Sequence, residues 1–161
     1  WLIPLRSKDR QNVLGVLGML ITFNLVYTLV STPAGALSDR IGRRRLIIGG
    51  WVVYAAIYFG FAVAQRGWHI WALYAIYGLY YGLAYGTAKA MVADIVPADL
   101  RGTAYGTYNA VLGILDFPAS LIAGLLWQYV SPAAPFYLGS VLALAAAVLM
   151  LAWRPAVPLR A

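Results

Sequence analysis

The sequence predicts an all-α integral membrane protein with five transmembrane helices, and three observations carry that prediction. Hydrophobic residues make up 63% and charged residues 11% of the 161, and there is no Glu; a soluble domain is about 45–50% apolar and about 25% charged. Five apolar stretches are each close to the roughly 20 residues that cross a hydrocarbon core ~30 Å thick. The cations, finally, gather at the ends of those stretches rather than within them.

The first stretch, about Asn12 to Pro33, follows a polar segment containing Arg6, Lys8, Asp9 and Arg10. Residues 1–11 are read as an extracytoplasmic linker, with Trp1, Leu2 and Ile3 as the end of an earlier helix. Asn24, Thr28 and Ser31 fall at spacings of four and three, on one helical face expected to look into protein or a cavity. The stretch Gly35–Arg45, GALSDRIGRRR, is the densest charge cluster in the chain. It reads as a tight loop, and its excess of Arg near span ends marks the cytoplasmic side.

The second span, about Leu46 to Ala64, carries nothing more polar than Tyr54 and Tyr58, so it is expected to face lipid. The link to the third span holds Arg66 and His69. One His with no nearby acid or Cys builds no metal site. The third span, about Ile70 to Val92, has a ridge of Gly78, Gly82 and Gly86 that lets another helix approach closely. A neighbouring stripe of Tyr74, Tyr77, Tyr81 and Tyr85 serves either packing or solute contact. Lys89, near the end of this span, is expected to snorkel to the interface.

The break DIVPADLRG, Asp94 to Gly102, forms a second cytoplasmic loop marked by Arg101. In the fourth span, about Thr103 to Trp127, Asn109, Gly113, Asp116, Ser120 and Gly124 repeat at helical spacing around the one acid deep inside any span. An ionisable group there costs about 2.5–3.5 kcal/mol on insertion scales. It serves either proton or solute coupling, or a helix–helix hydrogen bond. The fifth span, about Ala134 to Trp153, is apolar apart from Tyr137 and Ser140, and the tail 154–161 with Arg154 and Arg160 is placed in the cytoplasm. The polar-striped first, third and fourth helices are expected inside the bundle, and the second and fifth outside it.

The net charge of +7 follows from this topology, so no nucleic-acid partner is invoked. An enzyme would need a nucleophile with a base, or a metal cluster. One His, no Cys, no Glu and five scattered Asp provide neither, so no catalytic residue, metal or cofactor is expected.

The order Gly35, Asp39, Arg40, Gly42, Arg43, Arg44 resembles the loop signature of the major facilitator superfamily of secondary transporters. By that resemblance the chain is part of one transporter half, helices eight to twelve, with residues 12–153 as the bundle and the N-terminal half as its missing partner. The family implies a small-molecule substrate moved by alternating access across the plasma (inner) membrane. It also implies that the loop acid and arginines latch the cytoplasmic ends in one conformation, against topology alone as the other reading of Arg43–Arg45. Asp94 is then the expected partner of Arg43 or Arg40. Asp116, Asn109, Ser120, Asn24, Tyr77 and Tyr81 are the candidate solute or coupling residues. A non-transporting membrane scaffold or receptor-like protein is the alternative.

Overall fold

The computed structural model describes residues 7–153, with side chains from Val13 onward. The first residues of the N-terminal linker, and the C-terminal tail with Arg154 and Arg160, lie outside the described residues. Five helices follow one another: α1 Ser7–Ile41, α2 Arg43–Val63, α3 Gly67–Ile95, α4 Arg101–Tyr129 and α5 Ala134–Ala152, with a 3-10 turn Ala98–Leu100 before α4. All but α3 are long and apolar enough to cross a membrane. α3 is rich in Tyr and Gly, and at 29 residues it is about 44 Å long at 1.5 Å per residue.

The stretch read as a loop is almost entirely helix. α1 continues through Pro33, expected to end the span, and on through Gly35 and Asp39, reaching 35 residues. The turn to α2 is made by Gly42 alone, at φ 88° and ψ 133°. It is the one described residue with positive φ, a conformation open to Gly because it has no Cβ. The hydrogen bonds Gly42 N to Ser38 O and Leu46 N to Gly42 O, 3.1 and 3.3 Å, carry the backbone across it.

The helices do not sort by greasiness as expected. α2 lies in the middle, packed against α3 on one side and α5 on the other, while α3 in turn packs on α1. Only a narrow stripe of α2, including Val52, Phe59 and Val63, is exposed. α4 rests lightly on α3 and α5 and has no buried residue. Placing α2 on the outside was therefore wrong, whereas α5 keeps a broad exposed apolar face that includes Val148 and Leu149. The physical reason is that an apolar surface permits lipid contact without requiring it. In a bilayer close van der Waals packing decides which helices associate, and this favours small residues.

The contacts bear this out. Gly50 meets the Ala84 methyl, Gly139 receives the Tyr58 ring, and Gly78 lies directly against the Phe23 carbonyl of α1. The Ser140 hydroxyl donates 2.8 Å to the Ala55 carbonyl, joining α5 to α2 through a buried hydrogen bond. Of the predicted glycine ridge, Gly78 and Gly82 pack on α1, but Gly86 meets nothing within 4 Å. There α1 presents Ser31, Gly35 and Ser38, and a cavity of about 290 Å³ opens between the helices.

A Cβ on Gly78 would sit 2.6 Å from the Phe23 carbonyl oxygen, a backbone atom that moves only with its helix. Gly78→Ala is therefore expected to destabilise by about 3 kcal/mol, the upper end for overpacking. Gly86→Ala should stay within about 0.5 kcal/mol. Thermal unfolding of the two variants in detergent checks the contrast; equal melting temperatures would show that the two helices are not held at this distance.

Candidate functional site: the arginine-rich end and the helix faces

At the end of the bundle where α1 turns into α2, three arginines tie helix ends together. Arg43 Nε lies 2.6 Å from Asp94 Oδ2 at the end of α3, the two side chains being 23% and 18% exposed. Its Nη2 is 3.6 Å from Asp39 Oδ1, one turn back along the chain, but the Asp39 side chain is 68% exposed. Arg43 thus sits between two acids and engages the more enclosed one closely. Arg40, the other expected partner of Asp94, is exposed and makes no ion pair among the described residues.

Arg44 does something the loop reading did not anticipate. Its Nη2 donates to the carbonyls of Met150, Leu151 and Trp153 at 2.7, 3.0 and 2.6 Å, and its Nε to Met150 at 3.1 Å. Met150 and Leu151 offer two of the last carbonyls of α5, which no intrahelical N–H satisfies, and Trp153 follows directly, all at the negative end of the helix dipole. Arg44 therefore caps α5 from the first turn of α2. Arg101 does the same less closely for α3, with Nε 3.3 Å from the Ala93 carbonyl. Cations near helix C-termini are a known preference; what hid Arg44 is that its helix end lies more than a hundred residues away.

Ser31, Ser38, Asp39, Arg43 and Thr87 edge the polar cavity between α1 and α3, just inside the arginines. Gly35 leaves open space beside α1. The Lys89 Nζ lies 4.7 Å over the Tyr85 ring.

The tyrosine stripe is one part of a larger aromatic wall. Tyr77 is its hub, with ring centroids 5.6 Å from Phe23, 6.0 Å from Tyr54 and 5.1 Å from Tyr81. Tyr54 and Tyr58 stack at 4.1 Å, and Tyr58 reaches Phe136 of α5 at 6.0 Å. The sequence reading missed Tyr54, Tyr58 and Tyr80 as wall residues, although the i, i+4 spacing of the first two places them on one face.

The polar stripes point away from this wall. Asn24 and Thr28 are exposed, and with Ser31 they donate to carbonyls of their own helix, Leu20, Asn24 and Thr28, at 2.8–3.0 Å. α4 turns Leu115, Pro118, Ala119, Ile122 and Ala123 toward α2, α3 and α5. At 3.6 residues per turn, Asn109, Gly113, Ser120 and Gly124 then turn away from this face and Asp116 falls at its flank, about 20° around the helix from Ala123, and all five are exposed. Asp116, Asn109 and Ser120 have no hydrogen-bond or ion-pair partner among the described residues. The structure thus joins Arg43 with Asp94 and Tyr77 with Tyr81, and keeps the Asp116 stripe apart from both.

The comparisons with known proteins agree with this architecture. The family model of the major facilitator superfamily matches residues 5–161. An uncharacterised MFS-type transporter of Methanocaldococcus jannaschii is 38% identical over 143 residues, 89% of this chain and 36% of that protein. The quinolone resistance protein NorA of Staphylococcus aureus is 25% identical over 148 residues, 91% of this chain and 38% of its own. The chain thus spans well under half the length of these relatives. With five helices arranged as a membrane bundle, the loop residues in their order, and a family match over nearly its whole length, the chain belongs to the major facilitator superfamily of transporters.

Proposed function

We propose that this chain is the larger part of one half of a secondary active transporter, helices eight to twelve, which moves a small organic solute across the plasma (inner) membrane by alternating access. The observation that carries the reading is the Arg43–Asp94 pair at 2.6 Å. It joins the start of α2 to the end of α3 through a contact that separation of the two ends would break, as a conformational latch requires. Asp39, more loosely held by Arg43 at 3.6 Å and 68% exposed, is accessible to the other half. The partnerless stripe around Asp116 on α4 and the exposed face of α1 with Asn24 are the surfaces that would line a midplane path against that half. The arginines at this end support a cytoplasmic side for it and for the C-terminus. A relative named for quinolone resistance supports a small organic solute.

The test is reconstitution of the full-length parent in proteoliposomes, with solute flux measured with and without an imposed pH gradient. Gradient-dependent accumulation together with exchange of preloaded solute is expected. Absence of both fluxes across a panel of organic solutes, from correctly folded protein, would sink the proposal in favour of a scaffold.

A further inference from the structure

Between α2, α3, α4 and α5 lies a cavity of about 790 Å³. It meets a second of about 560 Å³ at Tyr58 and Tyr77, which line both. Each is of the size of ligand pockets, about 300–1,000 Å³, and the described lining comes from α2 to α5 and the links between them. We infer that the larger chamber is a binding site for an uncharged planar aromatic molecule, a site within this half that Asp116 does not line.

Three observations select that ligand. Among the described residues no charged one lines either chamber, so an ion would shed its hydration without gaining a counter-charge. Lys89, beside the chamber's wall residue Tyr85, is engaged on that ring. The walls are aromatic, with Trp51, Tyr54, Tyr58, Tyr80 and Tyr81 among them, and their rings already meet in stacked and edge-on arrangements at 4.1–5.6 Å. A flat ring inserted among them extends the same geometry, which a saturated chain cannot exploit beyond dispersion. The Tyr54 hydroxyl hydrogen-bonds to that of Tyr58 and the Tyr77 hydroxyl to that of Tyr81; each pair keeps one O–H that can donate to a carbonyl on the ligand. α4 closes the chamber with small residues, Ala119 and Ala123, and with Pro118, which lacks the N–H that would hold its turn to the Ile114 carbonyl. Since α4 is the most lightly packed helix, it is the wall that yields on entry.

Tritiated benzophenone, uncharged and doubly aromatic, is the probe. The full-length protein in nanodiscs is photolysed with it, and adducts are mapped by mass spectrometry. The expected result is labelling of α4 and α5 peptides around Ala119 and Leu142 that excess unlabelled benzophenone competes away. Ala119→Trp, filling the chamber, should lower it about tenfold. Leu121→Trp, on the outer face of α4, should leave it unchanged. Ala123→Phe repeats the test if Ala119→Trp fails to fold, judged by size-exclusion elution. Labelling that cannot be competed, or that ignores both filling variants, overturns the inference. So does a diazirine-bearing phosphatidylcholine that labels the same peptides and is displaced by neither benzophenone nor either variant, which would make the occupant an acyl chain. Loss of labelling with flux intact discards this site alone; labelling with no flux of any kind discards the transport reading and leaves the site.

Discussion

Arg43→Ala is expected to destabilise the closed arrangement of the arginine-rich end by about 2 kcal/mol. The value lies between the 0–1 of exposed ion pairs and the 3–5 of removing one partner from a buried one, because the side chains of Arg43 and Asp94 are about a fifth exposed. The substitution leaves the Asp94 carboxylate partly buried without its cation, and also frees Asp39 from its one described neighbour. If the pair exists in one conformational state only, the equilibrium between states shifts by the same amount, about 30-fold. Ser38 reports on this, being 3% exposed at the edge of the polar cavity. The described chain has no cysteine of its own. Ser38→Cys, in a parent otherwise free of cysteine, should be alkylated at least about tenfold faster once Arg43 is removed. Exchanging the charges, Arg43→Asp with Asp94→Arg, should recover much of the protection. An alkylation rate and a melting temperature both indifferent to Arg43→Ala would reduce the arginines to topology signals.

Asp116→Asn is expected to reduce gradient-driven uptake to the leak rate while leaving folding and solute exchange in place. The amide has the shape and hydrogen-bonding reach of the carboxyl but cannot titrate, so a proton-coupling role disappears and a packing role survives. Stability should change by no more than about 0.5 kcal/mol, since Asp116 is exposed and makes no hydrogen bond or ion pair among the described residues. An ionised carboxylate facing hydrocarbon costs about 2.5–3.5 kcal/mol, so an exposed acid at this position of α4 implies water or protein beside it in the intact transporter. Glycines at 113 and 124, with open space beside them, leave room for either. Uptake, exchange and melting temperature measured on one preparation separate the cases. Undiminished pH-driven uptake would assign coupling to the other half; loss of exchange along with uptake would make Asp116 a solute-binding group.

The sequence by itself determined the helices, because hydropathy and helical spacing are properties of neighbouring residues. Its boundaries missed mainly where polar helix was taken for loop: Gly35 to Ile41 belongs to α1, since a helix that has left the hydrocarbon keeps its backbone hydrogen bonds without needing apolar side chains. Gly42 was legible as part of a motif, but its role as the whole turn appears only in its positive φ. The Arg43–Asp94 partnership could be anticipated because both residues lie at span ends on one side of the membrane, and opposite charges confined to one end have few choices. Arg44 could not be placed this way, since its acceptors are backbone carbonyls that every helix end offers. Nor could the central position of α2. It rests on many small contacts, such as Gly50 on Ala84 and Ser140 on Ala55, each worth little and none with a signature in the local sequence. Tertiary structure alone also decided which way the stripe on α4 faces: periodicity fixes which residues share a side of a helix, while packing against α3 and α5 fixes the direction of that side.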